Sequence, residues 1–400
     1  MATTKIIPGV LDLNATGADK GLKMPSGTEF NRPTDATGQI RNNTNEASEG
    51  SASCEEYYNG AAWKKINNVA IPPPQAFKTV IWTGNGTSQS ITGVGFQPDW
   101  VWGKERSNTS GNELLDSTRG ATNYLTSNSN GQQATSAQGL QSFDSDGFTV
   151  GNDGAWNQNG ETYVAWCWKA NGGTTSSNTD GTITSTVQAN QDAGFSIVKY
   201  TGNGNTSQES FGHGLSSTPE LIIQKSIDTL LTYGTNNWVV GGTAVGSAGS
   251  WLELNTTDAK ATDSSYWGNQ LPSSTVVYIS GSVERVHNES GKNFINYCFH
   301  SVSGFSKIGS YSGTGVNGNN ITVGFQPNWL MVKRTNATDN WVIVDSERGT
   351  NNSLFPDLSS NELSNSGAVT FTSTGFTVNG ASGGWNNGSS TYLYMALKTN

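Results

Sequence analysis

Two aspartate–arginine pairs are the first residues in this sequence whose types and spacing suggest chemistry. Asp116 stands three residues before Arg119, and Asp345 stands three residues before Arg348 in a similar segment. An exposed guanidinium could bind a carboxylate on a glycan or on a partner protein through paired hydrogen bonds. The alternative is an ion pair within one domain that fixes the loop after a strand. We favour this alternative because a related segment between the two pairs has no clear equivalent.

Two further acids, Asp144 and Asp146, alternate in a segment that could begin a calcium loop, since Ca²⁺ takes oxygen ligands at such positions. The alternative is a β-turn in which an aspartate accepts hydrogen bonds from its own backbone. A matching segment, 372–375, keeps the glycine but has no acid. The shared requirement is therefore the turn. We favour it, and we expect no metal and no other cofactor.

Two tryptophans, Trp156 and Trp385, lie in glycine-rich loops before a predicted strand. Loops often carry binding residues, and an indole ring can stack on a sugar face or on a neighbouring subunit. These two residues are therefore the candidate ligand-binding positions. The alternative is that each ring folds back and caps its own domain, and the recurrence of the residue slightly favours that alternative.

The cysteines and histidines do not form a catalytic pattern. Cys167 and Cys298 occupy the same position in related segments, where the third copy has Ala396, so both are expected to be packing residues. No histidine pair has metal-ligand spacing, and neither a Gly-x-Ser-x-Gly nor a His-Glu-x-x-His motif is present. We expect a protein without enzymatic activity.

Several motifs recur in the same order and spacing, which predicts tandem copies of one domain. Gly95–Trp100 returns as Gly324–Trp329, Tyr163–Lys169 returns as Tyr392–Lys398, and a diverged copy opens at Gly194. We place the copies at residues 75–171, 194–301 and 304–400, behind a different N-terminal region at residues 1–70.

The segments between the copies differ in length. Residues 172–193 are rich in Gly, Ser and Thr, which predicts a flexible linker, whereas the joint at residues 301–303 is short. We therefore expect copies two and three to form a rigid pair, with copy one on a looser tether.

Short runs of Val, Ile, Trp and Tyr, bounded by Gly, Asn, Ser and Asp, predict strands throughout the copies. No segment sustains a helical pattern over a usual helix length. The run 163–168 is apolar on both alternating faces, which favours a central strand that is buried on both sides. The predicted fold class is all-β, with three tandem β-sandwich or jelly-roll domains.

Composition narrows the set of partners. The chain has 400 residues with 49 glycines, 13% charged and 10% aromatic residues, and a net charge of −9. Few charges together with many aromatics indicate folded, turn-rich β structure rather than disorder. No basic patch is visible, so no nucleic-acid partner is expected. No apolar stretch approaches the roughly 20 residues that span a bilayer, so no membrane insertion is expected.

The N-terminal region carries a recognisable series of motifs: Pro25–Thr28, Arg32-Pro33, Gly38–Thr44 and Glu56–Trp63. This series resembles a module that is common in phage tail-fibre and other virion proteins. The resemblance implies that residues 1–70 attach the chain to other virion proteins. It also implies a protein that is made in the host cytoplasm and exposed on the particle surface.

The copies themselves resemble a domain of uncharacterised function that recurs in marine phage structural proteins. Its marks here are Gly95–Trp100, Asp116–Gly120, Phe143–Val150 and Tyr163–Lys169. The resemblance implies a lectin-like β-sandwich and brings no catalytic residues.

Three hypotheses about function follow from these two resemblances. The first is a tail fibre or similar appendage that binds a glycan or receptor on the host surface. The second is a capsid decoration or cement protein, and the third, less favoured, is a polysaccharide depolymerase. Analogy with phage fibres adds the expectation of a homo-oligomer, for example a trimer.

Overall fold

β-Strands make up nearly all the regular structure of the described chain, so the predicted all-β class is confirmed. The computed structural model describes four strands within residues 26–65 and then residues 75–229, 236–280, 287–364, 368–380 and 383–399. The chain divides into two units, Met1–Pro72 and Pro73–Asn400. The helices of the described residues are single turns of three or four residues, and none is long enough to cross a bilayer.

The N-terminal unit contains one four-stranded sheet. Its strands are β1 (Ser26–Gly27), β2 (Ile40–Asn43), β3 (Cys54–Tyr58) and β4 (Trp63–Lys65). They pair in that order; β1 is parallel to β2, and the other pairs are antiparallel. All four strands fall within the stretch that resembles the phage module.

Copy one is a sandwich of a large sheet and a small sheet. The large sheet has the order β10-β9-β8-β7-β13-β5 and the small sheet has the order β11-β12-β6. Its elements are β5 (Phe77–Thr83), β6 (Gln89–Thr92), β7 (Trp100–Glu105), β8 (Asn112–Asp116), β9 (Asn123–Thr126), β10 (Ala134–Thr135), β11 (Leu140–Asp144), β12 (Gly147–Val150), α1 (Gly154–Asn157) and β13 (Thr162–Trp168).

Copy two repeats this plan with an eight-stranded large sheet, β14-β15-β16-β23-β18-β19-β20-β21, and a small sheet of β17 and β22. Its elements are β14 (Ser176–Asn178), β15 (Ser185–Asn190), β16 (Phe195–Thr201), β17 (Glu209–Gly212), β18 (Leu221–Ser226), β19 (Val239–Gly241), β20 (Ser250–Glu253), β21 (Ala261–Thr262), a 3-10 helix (Trp267–Asn269), β22 (Val276–Ile279) and β23 (Asn293–Phe299).

Copy three has a large sheet in the order β24-β30-β26-β27 and a small sheet in the order β25-β29-β28. Its elements are β24 (Ser306–Ser312), β25 (Asn319–Thr322), β26 (Trp329–Arg334), β27 (Trp341–Asp345), β28 (Val369–Thr372), β29 (Gly375–Val378), α2 (Gly383–Asn386) and β30 (Thr391–Leu397).

The expectation of a flexible linker at residues 172–193 was wrong. This segment contains β14 and β15, and β15 pairs with β16 along Thr186–Asn190, which adds two strands to the large sheet of copy two. Val187 points into the sandwich core of that copy, and Gln188 is fully buried. The abundance of Gly, Ser and Thr reflects turns and an edge strand rather than a tether.

The strand at residues 163–168 is buried on both faces, but the two faces pack against different parts of the molecule. Ala165 and Cys167 point into the sandwich core of copy one. Val164, Trp166 and Trp168 point away from it into a second core, which residues from all three copies share. The outer faces of the three large sheets therefore meet in one place.

Aromatic rings fill this shared core, which we call the central core. Trp100 of copy one stacks on Tyr297 of copy two with ring centroids 4.1 Å apart. Trp168 of copy one packs edge-on against Trp329 of copy three at 5.8 Å. Copy one therefore packs against both other copies in the central core, and the expected loose tether is wrong.

Candidate functional site

Both aspartate–arginine pairs form buried ion pairs at the ends of β8 and β27, where the aspartate is the last residue of the strand. Arg119 Nε lies 2.6 Å from Asp116 Oδ2, and Arg348 Nε lies 2.7 Å from Asp345 Oδ2. In each pair the other carboxylate oxygen accepts the arginine's own backbone amide, at 2.8 Å and 2.9 Å. The guanidinium groups are shielded from solvent, so they fix the turn and are not free to bind a glycan.

The same aspartates also join the copies to one another. Tyr297 of copy two donates its hydroxyl to Asp116 Oδ2 of copy one at 2.8 Å. Trp166 of copy one donates its indole Nε1–H to Asp345 Oδ2 of copy three at 3.0 Å. Sequence reasoning missed this second role because each donor lies far along the chain from its acceptor.

At the contact between copy three and copy two, neither partner of this hydrogen bond is present. Strand register places Met395 of β30 where Trp166 and Tyr297 stand in β13 and β23. Gly242, just after β19, stands where the other copies have aspartate. The methionine side chain has no donor and glycine has no side-chain acceptor, so this pair leaves no side-chain polar atom unsatisfied.

Three buried lysines, Lys104, Lys225 and Lys333, occupy equivalent positions in β7, β18 and β26. Each ammonium group approaches a backbone carbonyl oxygen of another copy: Ser359 for Lys104 (3.3 Å), Asn130 for Lys225 (3.5 Å) and Thr257 for Lys333 (3.0 Å). Burial lowers the pKa of Lys225 to about 7 and the pKa of the other two to about 8. Sequence reasoning also missed these residues.

A third set of contacts follows the same direction around the molecule. Its donors are Asn112 at the start of β8, Trp238 just before the equivalent strand β19, and Trp341 at the start of β27. Each donates a side-chain N–H group to a backbone carbonyl oxygen of another copy. The contacts are Asn112 to Phe355 (3.2 Å), Trp238 to Thr126 (2.9 Å) and Trp341 to Glu253 (2.8 Å). In the lysine set and in this third set, copy one donates to copy three, copy three to copy two, and copy two to copy one; the aspartate contacts follow the same direction at two of the three places.

These contacts close the three copies into a ring with pseudo-threefold symmetry, the head-to-tail arrangement that identical subunits adopt in a cyclic trimer. Here the three subunits are parts of one chain. The buried charged groups between the copies contribute to this closure.

The two candidate tryptophans lie inside their sandwiches. Trp156 is 1% exposed, lies nearly parallel to Trp82, and donates its Nε1–H to Glu113 Oε2 at 2.5 Å. Trp385 is 5% exposed and belongs to the core of copy three, and its carbonyl oxygen accepts the Tyr311 hydroxyl at 2.7 Å. Both side chains are buried, so both residues cap their own domains, as the recurrence slightly favoured, and do not act as the candidate ligand-binding positions.

The carboxylates of the two calcium candidates accept hydrogen bonds from other residues of copy one. The carboxylate oxygens of Asp146 accept the backbone amides of Gly93 and Gly95 at 3.1 Å and 2.6 Å. Those of Asp144 accept the hydroxyls of Ser142 and Thr149 at 2.8 Å and 2.7 Å. Across the described ranges, no group of three or more His, Cys, Asp or Glu residues is arranged to hold a metal ion. The chain does turn between β11 and β12, as predicted, but the aspartates bond to hydroxyls and to the loop after β6 rather than to the backbone of the turn itself.

The described cysteines and two of the histidines are buried and electrically neutral. Burial raises the pKa of Cys298 to about 12 and raises that of Cys167 further, which removes thiolate reactivity at neutral pH. Burial lowers the pKa of His287 to about 3 and that of His213 to about 4. Cys54 lies in the N-terminal strand β3, where only the backbone is described.

Comparison with known proteins gives one finding about the family. The model of a family described as a domain of unknown function (DUF7483) matches residues 72–400. The match begins just before β5 and runs through all three copies as one stretch. No curated protein matches the chain.

Proposed function

The chain belongs to the family described as domain of unknown function DUF7483, and we propose that it is a structural protein of a phage virion. In this proposal it is a tail fibre or similar appendage without catalytic activity. Residues 1–70 attach it to other virion proteins, and the three-copy ring binds a glycan or receptor on the host surface.

The observation that carries the binding role is the closed ring of three sandwiches. Its buried Asp, Arg and Lys side chains hold the copies together, so the ring presents its surface loops on a rigid support. Loops on a rigid support are a common arrangement for recognition, because little conformational entropy is lost when they bind. With a net charge of −9, the chain would depend on hydrogen bonds rather than on bulk attraction to an acidic bacterial surface.

Two features support an attachment role for the N-terminal region. The motifs of this region resemble those of phage tail-fibre modules, and residues 1–72 form a unit of their own. The outer faces of the three large sheets are buried against one another within one chain. The proposed homo-oligomer would therefore have to form through other surfaces. The N-terminal unit is the first candidate for that contact.

The test is the location and copy number of the protein in purified particles. Antibodies against residues 73–400, used for immunogold labelling, are expected to mark the tail, and quantitative mass spectrometry is expected to find a few copies per particle. Label over the whole shell with dozens or hundreds of copies would replace the proposal with a capsid decoration protein. Absence of the protein from purified virions would overturn it.

The proposed lack of catalysis has its own test. Purified full-length protein is incubated with capsular polysaccharide and lipopolysaccharide from the host, and the supernatant is examined for oligosaccharides by mass spectrometry. We expect none above the level of a heat-denatured sample. Release of defined oligosaccharides would instead indicate a depolymerase.

A further inference from the structure

A polar cavity of about 280 Å³ opens at one end of the large sheet of copy two. It lies between the loop before β18, the loop after β19 and the end of β23. All its lining side chains carry a hydroxyl, a carboxylate or an imidazole: Ser217, Thr218, Glu220, Thr243, His300 and Ser301. Its volume is close to the lower limit of small-molecule sites, about 300 Å³.

The equivalent place in copy one is filled by the chain itself. Asp99, the counterpart of Glu220, accepts four hydrogen bonds, three of them from backbone amides of the segment that follows β13. The donors are Ala170, Gly172 and Gly173 through their amides and Ser117 through its hydroxyl, at 2.6–2.8 Å. In copy one, therefore, no acceptor is left for a ligand.

Copy two differs because its chain continues directly into copy three after residue 301. The Glu220 carboxylate accepts one hydrogen bond from the described residues, from the Ser301 amide to Oε2 at 2.5 Å. The counterpart in copy three, Asn328, carries no charge and is bonded to Ser346 and to the Thr399 amide. Glu220 is thus the one of these three residues that keeps both a charge and unused acceptor capacity.

The imidazole of His300 forms part of the wall, and its Nδ1 lies 3.0 Å from the Ser301 carbonyl oxygen. Its Nε2 has no hydrogen-bond partner among the described residues but is shielded from solvent, so it offers nothing to a ligand in the cavity. The accessible wall therefore offers the Glu220 carboxylate together with hydroxyls, and a matching ligand must bring donors for that carboxylate.

We propose that this cavity binds one neutral, hydroxyl-rich sugar unit of a host-surface glycan, with adjacent hydroxyls donating to the Glu220 carboxylate. The proposal rests on the glycan-binding role proposed above and gives that role a site. Adjacent hydroxyls of a sugar can donate to the Glu220 carboxylate, and the hydroxyls of Ser217, Thr218 and Thr243 can both donate to and accept from the remaining sugar hydroxyls. A sugar acid is disfavoured because its carboxylate would face Glu220.

The experiment measures binding of single sugars to the full-length protein by isothermal titration calorimetry and ligand-observed NMR. The probes are glucose, galactose, mannose, N-acetylglucosamine and, as the acidic comparison, glucuronic acid. We expect at least one neutral sugar to bind and glucuronic acid to bind at least tenfold more weakly. If no neutral sugar binds, or if glucuronic acid binds best, the proposal is overturned.

Two variants locate the binding. Glu220→Gln keeps an acceptor for the Ser301 amide but removes the charge, and we expect the Kd to rise tenfold or more, since hydrogen bonds to charged groups are the stronger ones. Thr243→Tyr fills the opening of the cavity from an exposed position, and we expect no measurable binding. The matched control is Glu347→Gln on an exposed turn of copy three, which should leave the Kd unchanged. An unchanged Kd in both cavity variants would exclude this site.

Binding of labelled full-length protein to host cells separates this proposal from the broader one. If the chain binds cells and Glu220→Gln binds them equally well, the cavity is not the receptor site, while the host-binding role stands. If the chain binds a neutral sugar through the cavity but does not bind host cells, the site stands and the host-binding role fails.

Discussion

The ring has two kinds of joint between its copies. At two of the three contacts between copies, which we call the aspartate joints, an aromatic side chain of one copy donates a hydrogen bond to a buried aspartate of another copy. Tyr297 donates to Asp116, and Trp166 donates to Asp345. At the glycine joint, Met395 and Gly242 replace the donor and the acceptor. The comparison shows that the donor and the acceptor of a buried hydrogen bond are absent together. Removing one partner alone would leave the other unsatisfied at a cost of about 1–3 kcal/mol.

Removal of the aspartate from an aspartate joint should have the largest effect. Asp116→Ala leaves the buried Arg119 guanidinium without its counter-charge, which typically costs about 3–5 kcal/mol. We expect a loss of that size in the free energy of unfolding, measured by urea denaturation. Asp192→Ala, at an exposed turn, is the control and should change stability by less than about 0.5 kcal/mol.

The glycine of the glycine joint should be nearly as intolerant of change, for a different reason. Gly242 has φ +113°, and a Cβ there would lie 2.4 Å from the Glu220 carbonyl oxygen. Gly242→Ala should therefore cost about 3 kcal/mol, the upper end for local backbone strain. Gly95→Ala is the control, since Gly95 has φ +84° but open space around it. An equal loss in both variants would show that backbone strain alone, without the close approach, sets the cost.

The donor side of the two joints should also respond differently. Tyr297→Phe removes a hydrogen bond to a charged acceptor and should cost about 1.5–3 kcal/mol. Met395→Leu at the glycine joint changes shape only and should cost less than about 1.5 kcal/mol. Thermal and urea denaturation of both variants give the comparison. Equal losses would mean that packing, and not the hydrogen bond, holds the aspartate joint.

A smaller, pH-dependent effect should distinguish the lysines at two joints. The pKa of Lys225 is lowered to about 7 when folded, so between that value and its ordinary 10.5 the unfolded chain binds more protons. Stability should therefore rise with pH from 7.5 to 9.5, and Lys225→Met should reduce that slope. Lys333→Met, at the glycine joint, should reduce it less, because the pKa of Lys333 falls only to about 8. Urea midpoints across this pH range are the measurement, and a slope that neither variant changes would contradict the prediction.

Sequence patterns predicted what each copy does within itself. Alternating apolar strands, the Gly-centred turns and the ion pair of Asp116 with Arg119 are all local, so recurrence was enough to find them. The strand at 163–168 shows where this reasoning ended. Its second apolar face was assigned to burial within one sandwich, because a pattern records that a face is buried and not what covers it.

The same limit explains the other differences. Residues 172–193 have the composition of a linker, and only pairing with β16 makes them strands. Lys104 sits in a strand of buried residues, where its partner, the Ser359 carbonyl, carries no side-chain signature at all. Contacts to backbone groups of another copy leave no trace in residue types, so the ring could not be foreseen from the sequence.

Closure of the central core has a consequence for synthesis on the ribosome. Trp166 and Trp168 of copy one complete their packing only when residues of copy three are present. At about 5–20 residues per second, translation of residues 172–400 takes on the order of ten to fifty seconds. Until copy three is made, the nascent chain carries an aromatic surface that copy two covers only in part. Premature termination after copy one or copy two should therefore yield aggregation-prone fragments that depend on chaperones, rather than smaller functional proteins.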